Sequence, residues 1–194
     1  MKKIILIFMM LMSINIGINA QDKFINSTST YLDIGYGTMI PNDGSNSFGT
    51  LSFEFGGYVT PIFGLGGEFK YGSEGEYSDR IGLVGINTHI NTSPYYVPNR
   101  IVELDFTAGI GYGWVSFANW YDDDYYEDYV YKYGYSNVSY IVPKVGANLA
   151  FNLNIQHSIQ AVLSPEYGYY ISFDKENSEN VGVFNIFGKL RFKF

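Results

Sequence analysis

The chain has 194 residues, a formal charge of −7, an aromatic content of 19%, 22 glycines and no cysteine. Its length suits one domain. The missing thiols exclude a disulfide framework and thiolate metal sites, and an acidic chain with no basic cluster excludes nucleic acid as a partner.

The N-terminus reads Met1, Lys2 and Lys3, then an apolar run from Ile4 to Met12, then a small-residue end at Ala20. This is the layout of a secretory signal peptide, predicted to be cleaved after Ala20. The run falls short of the roughly 20 apolar residues that a spanning helix needs. The expected division is therefore a signal peptide over 1–20 and one domain over 21–194.

Eight stretches of period two follow, the spacing of β-strands. Thr30–Ile40 sets Leu32, Ile34, Tyr36 and Ile40 against Asp33, Gly35 and Gly37. After a turn at 41–47, Phe48–Val59 sets Leu51, Phe53 and Phe55 against Ser52, Glu54 and Gly56. Ile62–Gly72 sets Phe63, Leu65, Phe69 and Tyr71 against Gly64, Gly66, Glu68 and Lys70. Arg80–Asn91 is the least regular: Ile81 and Leu83 alternate, then Val84, Ile86 and Ile90 take over, which predicts a β-bulge near Gly85. Ile101–Phe117 alternates from Val102 to Trp114, with Glu103, Asp105, Thr107 and three glycines opposite.

The longest connection, 118–137, is rich in acids and tyrosines, among them Tyr121, Asp122, Asp123, Asp124, Tyr125, Tyr126, Glu127, Asp128 and Tyr129. Val138–Phe151 and Ser158–Ile171 supply two more strands. The chain then closes on a ten-residue alternation with Ile186, Gly188, Leu190, Phe192 and Phe194 on one face and Asn185, Phe187, Lys189, Arg191 and Lys193 on the other.

Periodicity alone leaves open which face meets solvent, so a soluble barrel or sandwich is the competing arrangement. Three features favour apolar faces outward in lipid. The strands are long enough to cross a bilayer at a tilt. The polar faces pair Glu54, Glu68, Glu103, Asp105 and Glu166 with Lys70, Lys144, Lys189, Arg191 and Lys193, and glycines leave room for those side chains in a narrow lumen. The apolar faces end in Tyr36, Tyr71, Tyr112, Trp114, Tyr167 and Tyr169, as interfacial girdles do. The predicted fold is all-β, an eight-stranded antiparallel up-and-down transmembrane β-barrel. Even strand number puts both termini on the periplasmic side. The connections after odd strands, 41–47, 73–79, 118–137 and 172–180, then lie outside the cell, and those after even strands, 60–61, 92–99 and 152–157, in the periplasm; the longest connection, 118–137, lies outside, as expected for such barrels.

The signal peptide, eight amphipathic strands and terminal run Leu190 to Phe194 resemble the small eight-stranded outer-membrane β-barrel proteins, similar to the OmpA transmembrane domain and OmpX. The resemblance implies residence in the bacterial outer membrane in contact with its lipid. It also implies that Phe192 and Phe194 belong to the signal read by the barrel-assembly machinery. Family members include adhesins, structural barrels, small pores and a few enzymes. A lipid A deacylase of this family uses a His-x-Ser arrangement, whereas here His157 is followed directly by Ser158 and His89 by Ile90. Neighbouring strand residues point to opposite faces and cannot pair as base and nucleophile.

Both histidines are therefore expected to be interfacial or turn residues. Glu103 and Asp105 read as part of the interior ion-pair network, not as a catalytic dyad. No enzyme activity, cofactor or metal site is predicted, and the acidic stretch lacks the ligand spacing of an EF-hand loop. The function expected is structural or adhesion-like, by a monomer whose 121–129 segment meets an extracellular protein or cell-surface partner, since tyrosines suit recognition. A small transport pore and a lipid-modifying enzyme are the alternatives.

Overall fold

The computed structural model describes residues 29–44, 46–74, 79–92, 101–121, 132–154, 157–173 and 179–194, with side chains over those ranges apart from 117–121 and 132–136. The segment 1–20 and the stretch Asp122–Tyr129 lie outside the described residues; Tyr121 ends a strand, described by its backbone alone.

Eight strands form one closed antiparallel barrel in sequence order. They are β1 Thr30–Pro41, β2 Phe48–Tyr58, β3 Phe63–Ser73, β4 Arg80–Asn91, β5 Val102–Tyr121, β6 Lys132–Asn152, β7 Ile159–Ser172 and β8 Val181–Lys193. The seam between β1 and β8 runs from Tyr31 opposite Lys193 to Pro41 opposite Val183. It extends one residue further, because the Phe194 N–H donates to the Thr30 carbonyl at 2.9 Å. Closure leaves no strand edge unpaired, as a lipid environment without water demands.

The faces are inverted relative to a soluble barrel. Ile34, Phe53, Leu65, Ile86, Phe106, Val145, Leu163 and Leu190 are exposed on the outside, whereas Asp33, Glu54, Lys70, His89, Asp105 and Arg191 are almost wholly buried within. Exposed apolar area of this extent, spread over all eight strands, would be untenable in water and is what a spanning barrel presents to acyl chains.

Two expectations are corrected. There is no bulge in β4: its pairings with β3 and with β5 advance residue by residue through Gly85. Ile81 and Leu83 break the pattern because they point inward, 2% and 1% exposed, into an apolar cluster in the lumen. Outward-facing Gly82 lies under the Trp114 indole, where a Cβ would collide with the ring. The 118–137 connection is also shorter than its composition suggests, since β5 and β6 stay paired as far as Tyr121 opposite Lys132.

Candidate functional site

The lumen holds the chemistry, and its organisation follows from register. Asp33, Glu54 and Glu68 sit directly opposite one another across β1, β2 and β3. Like charges in cross-strand positions repel, so each acid needs a cation from elsewhere on the barrel wall.

Each has one. The guanidinium of Arg191, facing Asp33 across the seam, donates from Nε and Nη2 to the two Asp33 oxygens, both at 2.8 Å, and lies 4.8 Å from the centre of the Tyr31 ring. Its Nη1 is 3.6 Å from Asp105 Oδ2. Glu54 meets His89 Nε2 at 2.6 Å, accepts from the Tyr31 hydroxyl at 2.9 Å and lies 3.7 Å from Lys189 Nζ. His89 Nδ1 is 2.8 Å from Asp105. A ring with both nitrogens against carboxylates fits the doubly protonated imidazolium, which donates from each. Glu68 is shared by Lys144 and by Lys70 at 3.2 Å, and Lys70 reaches on to Glu166 at 2.5 Å.

Backbone without side chains makes the space. A Cβ on Gly66 would lie 2.5 Å from the Tyr31 hydroxyl and 2.6 Å from Glu54 Oε1, so that position admits only glycine while both neighbours keep their places.

Toward the end of the barrel that carries both termini, Glu103 collects donors. Lys193 Nζ and Gln160 Nε2 donate at 3.0 Å each, Asn152 Nδ2 at 3.0 Å, and His157 Nδ1 lies 2.9 Å away. His157, in the β6–β7 connection, adopts a φ of 55°. Toward the opposite end the polar layers stop. Phe187, on the inward face of β8 between Asn185 and Lys189, is fully buried, with Lys70 and Lys189 nitrogens 5.0 and 5.9 Å from its ring centre. Above it Met39, Leu83, Val142 and Tyr170 close the lumen as an apolar plug.

The ten residues expected to form the ion-pair network, Glu54, Glu68, Lys70, Glu103, Asp105, Lys144, Glu166, Lys189, Arg191 and Lys193, all line the lumen and each contacts an opposite charge. Asp33 and the two histidines are the members that the sequence reading left out. His157 is a turn residue as expected, but His89 is not interfacial: it is a fully buried hub. The parity of β4 carried the signal, since Asn87, His89 and Asn91 alternate with Ile86, Thr88 and Ile90. Phe192 lies beside Leu32 and Ile159, and Phe194 stands exposed just past the strand.

No family model matches the chain, and no curated protein matches it. Solved structures do. Neisserial surface protein A aligns with a TM-score of 0.62 at 10% identity, covering 86% of this chain and 96% of that one. A major outer membrane protein from Thermus thermophilus aligns at 0.53 and 13% identity, covering 85% and 99%. Ail, the attachment invasion locus protein of Yersinia pestis, aligns at 0.52 and 15% identity, covering 86% and 98%. At such identities the likeness lies in architecture: the chain has the eight-stranded transmembrane barrel fold of small bacterial outer-membrane proteins.

Proposed function

We propose that the chain is an integral protein of the bacterial outer membrane, exported by a cleaved signal peptide over 1–20, whose role is structural or adhesive. Its extracellular end then carries the function, and its lumen does not. The observation that carries this reading is the filled lumen, in which side chains of opposite charge interlock below an apolar plug. An eight-stranded barrel is just wide enough for such filling. In this reading the connections 42–47, 74–79, 122–131 and 173–180 face outward from the cell, and the β5–β6 hairpin is the longest element there. Phe192 and Phe194 sit at the closing seam, where the barrel-assembly machinery would read them.

The test is to replace 122–131 by a two-residue Asn-Gly turn, a type suited to hairpins. Heat-modifiable gel mobility should be retained, and attachment of expressing cells to host or neighbouring cells should be lost. Attachment at the original level would sink the role of Asp122 to Asp124, Tyr125, Tyr126, Glu127, Asp128 and Tyr129, the members of the segment that the variant removes.

The interior also bears on the alternative of a small pore. In planar bilayers the purified protein should give no stepwise conductance above the lipid baseline, whereas a reproducible ohmic step would restore that reading. A lipid-modifying role finds less support, because His89 and His157 are both buried and held by carboxylates.

A further inference from the structure

Above the apolar plug the barrel opens into a cup of about 560 Å³ at the end away from the termini. That volume lies within the range of small-ligand sites, about 300–1,000 Å³. Its floor is apolar, formed by Phe48, Ile81, Val115, Val138, Tyr140 and Val183. Tyr170 also lines it, and its buried hydroxyl has no hydrogen-bond partner among the described residues.

The rim is acidic: Asp43 comes from the β1–β2 connection, Glu74 and Asp79 from β3–β4 and Glu179 from β7–β8. The described residues around the rim are held by hydrogen bonds to one another and to β8. Asn42 N–H donates to the Gly182 carbonyl at 2.8 Å, and Gly182 N–H donates back to Asn42 Oδ1 at 3.1 Å. Ser172 N–H donates to Asn180 Oδ1 at 3.0 Å, and the Asn46 side-chain amide donates to Glu74. The described residues of the rim are thus held in place, which lowers the ordering cost of binding.

The sequence adds an independent asymmetry. Outside the lumen, every acid except Asp22 falls in the four connections of this end, against only Lys175 within them and Lys132 at the start of β6. Arg80, beside Asp79 at the start of β4, is not among the residues that line the cup.

We propose that this cup binds a cationic amphipathic peptide segment, with apolar side chains seated on the floor and flanking Lys or Arg residues over the rim. The rim acids come from three separate connections around an apolar centre. A peptide with cations on both sides of an apolar core matches that layout, whereas a compact polyamine would leave the floor unused. The proposal deepens the surface-interaction reading, on which it rests, by naming the chemistry of the partner.

The test uses the full barrel in phosphatidylcholine nanodiscs. The probe is a short peptide with a Leu-Trp-Leu centre between Lys pairs, read by the blue shift of its Trp after subtraction of barrel-loaded discs without peptide and comparison with peptide on empty discs. Saturable binding is expected, weakened at least tenfold by Glu74→Gln with Glu179→Gln. It should also be lost at about 1 M salt, where the Debye length is ~3 Å. Retained gel mobility checks the fold of the variant, and the salt titration of the unaltered protein tests the rim without any substitution.

Three results would overturn the proposal: a signal equal to that of empty discs, equal binding of a Lys-only peptide, or equal binding of a counterpart with Glu in place of Lys. If the peptide fails while attachment of cells persists and depends on 122–131, the cup is wrong and the adhesive role stands. If attachment is absent while the peptide binds, the reverse holds.

Discussion

Arg191→Ala should lower the stability of the folded barrel by about 3–5 kcal/mol, the cost of breaking a buried charge pair from one side. Arg191 is 1% exposed, satisfies both oxygens of Asp33, approaches Asp105 and covers the Tyr31 ring. Its loss leaves Asp33 facing Glu54 across β1 and β2 without its cation. The cost comes from the stranded carboxylate more than from the missing bond. Asp33→Leu combined with Arg191→Met, which removes both charges and keeps volume, should therefore be milder than either single change. Urea unfolding of the barrel in lipid vesicles, followed by Trp fluorescence, measures the parent and each variant. A single variant within about 1 kcal/mol of the parent would show that water reaches Asp33 and that the lumen is looser than its contacts imply.

The second large effect tests the outer face. Leu190→Arg should cost about 2–4 kcal/mol, the range for a cation placed near the bilayer midplane. Leu190 lies one residue from both Lys189 and Arg191, which are buried inside, yet it is 46% exposed between Ile34 and Ala161 of the flanking strands. The same substitution at Ile159, the first residue of β7, should cost about 0–1 kcal/mol because it sits near the membrane edge. The contrast between two outward positions distinguishes lipid from mere crowding. Equal costs at the two sites in the same vesicle assay would contradict a membrane-spanning outer surface.

The barrel was legible in the sequence because period two survives in nearly every strand and because polar and apolar faces differ so strongly. Strand β4 shows where that reading slips. Ile81 and Leu83 are apolar and inward, so hydrophobicity reports the wrong face at the plugged end of the lumen. A phase shift was inferred where the backbone has none, and the inward parity of His89 was masked. Asp33 shows a different limit. Its face was legible, but its value depends on which strands become neighbours at closure, and Arg191 lies 158 positions away in the chain. The ends of β5 and β6 were missed because acids and tyrosines read as loop. Backbone pairing continues there regardless of composition.

The row of acids on β1, β2 and β3 divides the charges unequally along the chain. The first five strands contribute Asp33, Glu54, Glu68, Glu103 and Asp105 to the interior but only Lys70 and His89 in return. The last three contribute Lys144, Lys189, Arg191 and Lys193 against Glu166. An unclosed sheet of early strands therefore carries surplus negative charge on the face that will become the lumen, and the arriving strands carry the complement. In the closed barrel the C-terminal strand brings Arg191 to Asp33 of β1, so closure joins complementary charges as well as backbone. Intermediates that stop short of closure keep carboxylates without partners beside the hydrocarbon. The unequal allotment of charge makes the half-built barrel unfavourable and the shut one self-neutralising, so assembly has an internal reason to run to completion.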